Sequence, residues 1–188
     1  MNVENSIDQY FYEEDGKYYM LWGSFFGIYI MELDVTDDVM ITPKLDTKRQ
    51  IAGNAYEGIN LWKRDGYYYL IGSIGSCCEG QKSTYTTVVA RSKDLFGPYV
   101  DKQGGQMLDN KHEVILHKND RFVGTGHIPP FSKMTKRTRG CFTMLLNWNV
   151  WMRNGKFCWT AFCGMKTAGL TLINWSLLTV RFVLLLNN

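Results

Sequence analysis

Two carboxylates stand at matching places in two copies of one sequence pattern. Asp8 lies seven residues before the dipeptide Asp15-Gly16, and Glu57 lies eight residues before Asp65-Gly66. Two carboxyl groups that share a cavity can cleave a glycosidic bond, because one protonates the leaving oxygen while the other activates a water molecule. A separation of about 6.5–9.5 Å would leave room for that water and would predict inversion at the sugar carbon.

The same spacing allows a simpler interpretation. Taken alone, the spacing of the two acids favours this simpler interpretation. In that interpretation Asp8 caps a turn and Glu57 is a surface charge at the start of a strand. The offsets of seven and eight residues also differ by one, and a shift of one residue reverses the face of a strand on which a side chain lies. If both acids face one cavity, we therefore expect a β-bulge or a longer turn to compensate.

The elements around the two acids have the pattern of β-hairpins. Asp-Gly between β-forming residues is a strong hairpin signal, and a third strand is predicted after each hairpin, over 28–33 and 84–91. The polar segment 34–50 is predicted to be a connection. A weaker third copy is predicted to begin at 113–117 and to turn at Asn119-Asp120. Repeats of this length with three or four short strands are typical of a β-propeller, whose blades present equivalent positions to one axis. We therefore predict an all-β fold, an incomplete propeller of about three blades.

Charge divides the chain into two parts. Residues 1–127 carry all 18 acidic residues and 13 basic ones, a net charge of −5, whereas residues 128–188 carry eight basic residues and no acid, a net charge of +8. Soluble domains carry charges of both signs throughout. We therefore predict a partial propeller catalytic domain over 1–127 and an atypical, acid-free tail over 128–188 that is frame-shifted or poorly structured.

Several other classes of function are disfavoured by the sequence. Five cysteines do not form a disulfide framework, and we expect buried free thiols rather than metal ligands. The leucine-rich run 170–186 is interrupted by Arg181, which argues against a membrane span. The basic cluster over 133–139 lacks the stacking aromatic residues that a single-stranded nucleic-acid site uses. We expect a monomer that binds neither membrane nor nucleic acid.

Eight ordered motifs resemble glycoside hydrolase family 43, nearest to its arabinan endo-1,5-α-L-arabinosidases. They cover about residues 5–127 and are Asn5-Ser6-Ile7-Asp8, Trp22-Gly23-Ser24-Phe25, Tyr56-Glu57-Gly58, Tyr67-Tyr68-Tyr69-Leu70, Gly75-Ser76-Cys77-Cys78, Ser83-Thr84-Tyr85, Arg91-Ser92 with Gly97-Pro98-Tyr99, and Gly124-Thr125-Gly126-His127. The resemblance implies a five-bladed propeller and an inverting hydrolase of arabinan or related plant polysaccharides that contain arabinose or xylose.

The resemblance also implies roles for individual residues. Glu57 is similar in position to the general acid, and Asp8 to the carboxylate that orients the base and modulates the pKa of the acid. His127 resembles the axial histidine that holds a calcium-centred water cluster, so calcium is the implied metal and no organic cofactor is implied. The segments that resemble the lining of the sugar subsite contain Asn5, Ser6, Ile7, Ser24, Phe25 and Phe26.

Two departures from the family limit this expectation. The general base of the family, an aspartate on an earlier blade, would correspond to a position before Met1, so we expect this chain to be a truncated copy with impaired activity. After His127 the sequence continues as Ile128-Pro129-Pro130 rather than in the family pattern, and we hypothesise a shifted reading frame from that point. Translation of the neighbouring frame of the gene would test this, because a frame without a family-like continuation would contradict it.

Three alternatives remain open for the function. The chain could derive from a β-xylosidase or an α-L-arabinofuranosidase of the same family, because subsite loops rather than the acids select the sugar. It could also be a carbohydrate-binding propeller without catalytic activity. The expected partner in every case is a polysaccharide or oligosaccharide. Members of the family are often secreted or periplasmic, and the sequence does not determine the compartment of this chain.

Overall fold

The computed structural model describes residues 3–36, 40–120, 122–128, 140–147 and 158–163. Within these ranges the regular structure is β-strand with three short 3-10 turns, which confirms the predicted all-β class. The strands are β1 (Tyr10–Glu14), β2 (Lys17–Trp22), β3 (Ile28–Thr36), β4 (Met40–Pro43), β5 (Arg49–Ala52), β6 (Glu57–Arg64), β7 (Tyr67–Ile74), β8 (Thr86–Ser92), β9 (Glu113–Leu116), β10 (Phe122–Val123), β11 (Gly140–Asn147) and β12 (Cys158–Cys163).

The strands form three antiparallel sheets, which correspond to two blades and part of a third. The first sheet has the order β1-β2-β3-β4, with β5 paired to β3, and the second has the order β6-β7-β8-β9. The third contains β10, β11 and β12 in that order. Both predicted hairpins are present, with Glu14 opposite Lys17 and Arg64 opposite Tyr67. Asp15 and Asp65 have φ of 51° and 50°, and the glycine after each also has positive φ, as a two-residue type I′ hairpin turn requires.

The structure corrects two of the predicted boundaries. The segment 34–50 is not only a connection, because β3 continues to Thr36 and pairs with both β4 and β5. Lys44 stabilises this part of the sheet, since its ammonium group contacts Glu32 and Asp34. The third copy does not begin at 113–117 either. Residues Glu113–Leu116 pair with β8 and complete the second blade, so the third sheet begins at β10.

One apolar core joins the first two blades. Leu21, Ile28 and Ile30 from the first sheet belong to the same buried cluster as Leu61 and Leu70 from the second. Burial of this kind stabilises the contact between the sheets by roughly 25 cal/mol per Å² of apolar surface. The blade packing therefore fixes the starts of β1 and β6 relative to each other.

At the hairpin-turn end of the same interface, polar contacts join the blades. The Tyr68 hydroxyl donates to Oε2 of Glu14 at 2.5 Å, and Lys63 forms an ion pair with the same carboxylate. Burial alone would raise the pKa of Glu14, but the hydrogen bonds from Lys63 and Tyr68 outweigh it and lower that pKa. This end of the interface lies opposite the end at which Glu57 begins β6.

Cysteine pairing differs from the sequence-based prediction. Cys77 and Cys78 are neither free nor buried: they form a disulfide between adjacent residues on the loop after β7. Because the two cysteines are adjacent in the chain, their sulfur atoms can pair without a wider disulfide framework. The odd number of cysteines in the chain does not exclude such a pair.

Most of the tail predicted over 128–188 lies outside the described residues, so the predictions about it stay predictions. Among the residues described, no helix is both long and apolar enough to cross a lipid bilayer, and the leucine-rich run 170–186 lies outside them. The tail predicted over 128–188 is described at Ile128 and in β11 and β12, and β11 pairs with β10. Its proposed frame-shifted origin stays a prediction.

Candidate active site

Glu57 is the first residue of β6 and lies at the boundary between the two blades. Its carboxylate oxygen Oε2 accepts a hydrogen bond from the Ser24 hydroxyl at 3.0 Å. Ser24 lies in the loop between β2 and β3 and is 1% exposed. The amide of Phe25 in the same loop donates to the carbonyl of Tyr56 at 2.9 Å. The loop of the first blade therefore holds both the side chain of Glu57 and the backbone immediately before it.

Asp8 contacts the backbone immediately after Glu57. Its Oδ2 atom accepts a hydrogen bond from the amide of Gly58 at 3.1 Å. The pairing of β6 with β7 shifts register between Glu57 and Asn60, which is the irregularity expected from the unequal spacing before the two Asp-Gly turns. The structure therefore brings the two candidate acids to one site, with the Asp8 carboxylate on the bulge that follows Glu57.

His127 reaches this site from the start of the third blade. Its amide donates to the Ser73 hydroxyl at 2.6 Å, and Ser73 lies opposite Glu57 in the β6–β7 pair. Its imidazole packs on Gly58 so closely that a Cβ there would lie 2.9 Å from Nδ1. Glycine at this position therefore allows the bulge, with φ of +56°, and the histidine ring to share the same space.

The remaining predicted site residues belong to two loops of the first blade. Asn5 donates from Nδ2 to the Ser24 carbonyl at 3.0 Å, which joins the loops. The Ser6 hydroxyl instead donates to the carbonyl of Val3 at 2.6 Å, within its own loop. Ile7, Phe25 and Phe26 are 46%, 38% and 50% exposed. Exposed apolar side chains next to buried polar groups provide the kind of surface that a sugar ring can cover.

Positive φ angles are frequent among the same residues. Within the described part of the chain, seven residues other than glycine have positive φ, and Asn5, Asp8, Phe25 and His127 are four of them. Asn, Asp and His tolerate this region, whereas phenylalanine is strained in it. Strain of this kind persists where the surrounding structure enforces it, and it is frequent at functional sites.

A small cavity lies beside Asp8 and the bulge that follows Glu57. It has a volume of about 90 Å³ and is lined by Asp8, Gln9, Tyr10, Gly58, Ile59, Asn60, His127 and Ile128. Asn60 is 3% exposed, and its side-chain amide donates to the carbonyl of Ile128. Its oxygen Oδ1 is buried without a hydrogen-bond partner. A buried acceptor of this kind indicates a place for water or an ion.

Sequence reasoning did not identify Tyr85 and Asn60 as members of the site. Tyr85 is 2% exposed, and its hydroxyl lies 3.4 Å from Nδ1 of His127 and within hydrogen-bonding reach of Glu57. Burial first, and then the Glu57 carboxylate, hold the pKa of Tyr85 well above its ordinary value. The position of Asn60 three residues after Glu57 was visible, but only the bulge shows that it reaches the cavity.

His112 contacts the residue that precedes Glu57. It is half-buried, and its Nδ1 lies 2.9 Å from the hydroxyl of Tyr56. Burial is the main cause that lowers the pKa of His112 from its ordinary value of 6.5. The histidine therefore anchors the buried tyrosine that immediately precedes β6.

This arrangement defines a class of protein: an all-β propeller fragment with two carboxylates at the boundary between neighbouring blades. Comparison with known proteins gives the family, because the family model for glycosyl hydrolases family 43 matches residues 2–144. The chain therefore belongs to glycoside hydrolase family 43. The predicted assignment to this family is confirmed, and with it the incomplete five-bladed propeller.

Individual relatives agree with this assignment. The chain is 36% identical over 129 residues to "Extracellular endo-alpha-(1->5)-L-arabinanase 1" of Bacillus subtilis, which covers 66% of this chain and 40% of that protein. It is 34% identical over 139 residues to "Extracellular exo-alpha-(1->5)-L-arabinofuranosidase ArbA" of Cellvibrio japonicus, with coverage of 65% and 40%. The solved endo-arabinanase of Bacillus licheniformis superposes with a TM-score of 0.70 at 30% identity, over 85% of this chain and 53% of that one. The chain thus spans less than half of the length of these curated relatives.

Proposed function

We propose that this chain is the acid-bearing part of a hydrolase that cleaves α-1,5-linked arabinan with inversion. The observation that carries the proposal is the position of Glu57, whose carboxylate is held by Ser24 of the other blade while Asp8 holds the next amide. In this function Glu57 protonates the departing glycosidic oxygen. Named relatives that act on arabinan or its arabinofuranosyl units support the choice of sugar.

The surrounding residues have separate tasks in this proposal. Asp8 places its carboxylate on the bulge and orients the groups that act on water. The subsite is formed by Asn5, Ser6, Ile7, Ser24, Phe25 and Phe26. Ile7, Phe25 and Phe26 provide the exposed apolar surface on which a sugar ring packs. The base that activates water is required from another blade, because inversion places the acid and the base on opposite sides of the sugar.

Calcium fits the cavity as a hydrated ion, and it is part of the proposal. Within the described residues no group of three or more His, Cys, Asp or Glu side chains could hold a metal directly. The cavity instead offers the His127 ring and the unpartnered Oδ1 of Asn60, with a volume that accommodates several waters. Calcium accepts oxygen ligands, including water, in flexible geometries. His127 and Asn60 would hold such an ion through its water shell, and the ion would supply a fixed positive charge near the acids.

The decisive experiment is hydrolysis of linear arabinan, debranched arabinan and xylo-oligosaccharides by the longest natural form of the protein that carries this sequence. We expect arabinan to be hydrolysed, with inverted configuration of the first-formed sugar seen by proton NMR. Glu57→Gln should abolish this activity, whereas Glu79→Gln, on an exposed loop residue, should leave it unchanged.

Other results would identify the alternatives. Turnover confined to xylo-oligosaccharides would contradict the proposal and indicate a β-xylosidase. Release of single arabinose units from chain ends would indicate an exo-acting arabinofuranosidase, an activity that the Cellvibrio relative's name describes. Binding of arabino-oligosaccharides by calorimetry without turnover would indicate a carbohydrate-binding propeller.

A further inference from the structure

Tyr85 occupies the point at which three parts of the site meet. Its hydroxyl lies 3.4 Å from Nδ1 of His127 and within hydrogen-bonding reach of both Glu57 and Ser73. Ser73 in turn accepts the His127 amide at 2.6 Å and lies opposite Glu57 in the β6–β7 pair. A single hydroxyl group therefore connects the candidate acid with the histidine of the next blade.

The ring of Tyr85 has little freedom to move. It is 2% exposed, and a Cβ on Gly126 would lie 2.3 Å from its Cδ1. The carbonyl of Tyr85 accepts hydrogen bonds from the amide and the hydroxyl of Thr125, at 3.0 and 3.1 Å. Contacts on both the ring and the backbone fix the position of the hydroxyl, as a preorganised donor requires.

Glu57 is therefore flanked by hydroxyl groups of two blades. Ser24 of the first blade donates to Oε2 of Glu57 at 3.0 Å, and the Tyr85 hydroxyl of the second blade lies close to the same carboxylate. A fixed hydroxyl beside a carboxylate that is already held on its other side favours one side-chain conformation. A general acid benefits from this, because a displacement of about 1 Å can cost on the order of a hundredfold in rate.

We propose that Tyr85 is a positioning residue that holds the Glu57 carboxylate in the orientation needed for proton donation and links it to His127. This inference rests on the proposed function of Glu57 as the acid. Tyr85 does not touch the substrate in this proposal and transfers no proton to it. Its task is to leave one conformation of Glu57 available when the sugar binds.

The contact itself can be tested without enzyme activity. Another tyrosine of the same blade, Tyr68, donates to the carboxylate of Glu14 at 2.5 Å at the far end of the interface, and it provides a matched control. With glutamate labelled by 13C at the side-chain carboxyl group, the Glu57 signal is identified by its loss in Glu57→Gln. We expect Tyr85→Phe to shift or broaden the Glu57 signal at neutral pH, and Tyr68→Phe to affect only the Glu14 signal. An unchanged Glu57 signal in folded Tyr85→Phe would overturn the proposal.

Kinetics then test the role of that contact. In the longest natural form, we expect Tyr85→Phe to lower kcat on arabinan about tenfold or more with KM changed less than about twofold, because ground-state binding is retained. The loss should be smaller on nitrophenyl arabinofuranoside, whose leaving group departs without a proton. An equal loss on both substrates, or unchanged kcat on arabinan, would contradict positioning of the acid. If the unaltered protein hydrolyses no arabinoside, the proposed function fails, while the NMR comparison still decides whether Tyr85 holds Glu57.

Discussion

The two hairpin units carry their acids in different ways. In the first unit Asp8 precedes β1, and the residue before it, Ile7, is 46% exposed. In the second unit Glu57 is the first residue of β6, and the residue before it, Tyr56, is fully buried and contacts His112 at 2.9 Å. Equivalent positions in two repeats thus belong to a loop in one blade and to an anchored strand in the other.

The second unit has one more residue between its acid and its Asp-Gly turn than the first unit has. The second unit accommodates it as a bulge over Gly58 and Ile59, where the strand register shifts. The bulge turns the amide of Gly58 toward Asp8, so the loop of the first unit is held by the irregularity of the second. The two acids are therefore placed together by the asymmetry of the repeats and not by their similarity.

The largest effect is expected when the contact between the units is broken at Asp8. Asp8→Ala removes both the charge and the acceptor for the buried Gly58 amide, whereas Asp8→Asn keeps an acceptor oxygen. We expect both variants to lose most of the arabinan-hydrolysing activity. Only Asp8→Ala should also lose stability, by about 1–3 kcal/mol for an unsatisfied buried donor, as measured by urea unfolding. Full activity in Asp8→Asn would show that the charge has no chemical task.

A second prediction compares two glycines with similar backbone angles. Gly58 and Gly66 have φ of +56° and +76°, but only Gly58 is packed against another group, the His127 ring, while the added Cβ at Gly66 would meet nothing within 4 Å. Gly66→Ala should cost about 1 kcal/mol through backbone strain alone. Gly58→Ala should cost more, because His127 must also move, and the NMR signals of that ring should shift. Equal losses of stability would mean that the histidine does not depend on the bulge.

The sequence was sufficient for the parts of the fold that depend on local chemistry. Asp-Gly within aromatic and β-branched runs identified both hairpins, because few other turns give positive φ at two successive residues. The unequal spacing before the two turns even indicated the bulge. The identity of the family followed from ordered motifs rather than from any physical periodicity.

The features of the fold and site that the sequence did not predict depend on pairing between distant segments. Strand Glu113–Leu116 was predicted to open a third repeat, and only its pairing with β8 shows that it completes the second blade. Tyr85 and Asn60 became visible as site residues only when the β7–β8 loop and the bulge brought them beside Glu57 and His127. Local sequence signals carry no information about such approaches.

A third prediction concerns the anchor of the second unit. Burial lowers the pKa of His112, although Asp101 and Glu113 nearby act in the opposite direction. The unfolded chain therefore binds a proton first as the pH falls, so His112 contributes stability above its ordinary pKa of 6.5 and loses it below that value. We expect the melting temperature to fall more steeply in the unaltered protein than in His112→Gln as the pH is lowered below 6.5. His117→Gln, at an exposed histidine, is the control, and an identical slope in His112→Gln would contradict this assignment.

The smallest effect is expected from the Cys77–Cys78 disulfide, which has no counterpart in the first unit. A disulfide stabilises mainly by closing a loop in the unfolded chain, and this one joins residues with a sequence separation of 1. The base of its loop is held instead by hydrogen bonds between Ser76 and the segment 83–84, among them Ser83 Oγ to the Ser76 carbonyl at 2.8 Å. Reduction with dithiothreitol should therefore change the melting temperature by less than about 2 °C. The Cys77→Ser/Cys78→Ser double variant, treated identically, controls for the reductant itself. A decrease of several degrees confined to the unaltered protein would show that the disulfide, and not the hydrogen bonds of Ser76, holds the loop that leads to Tyr85.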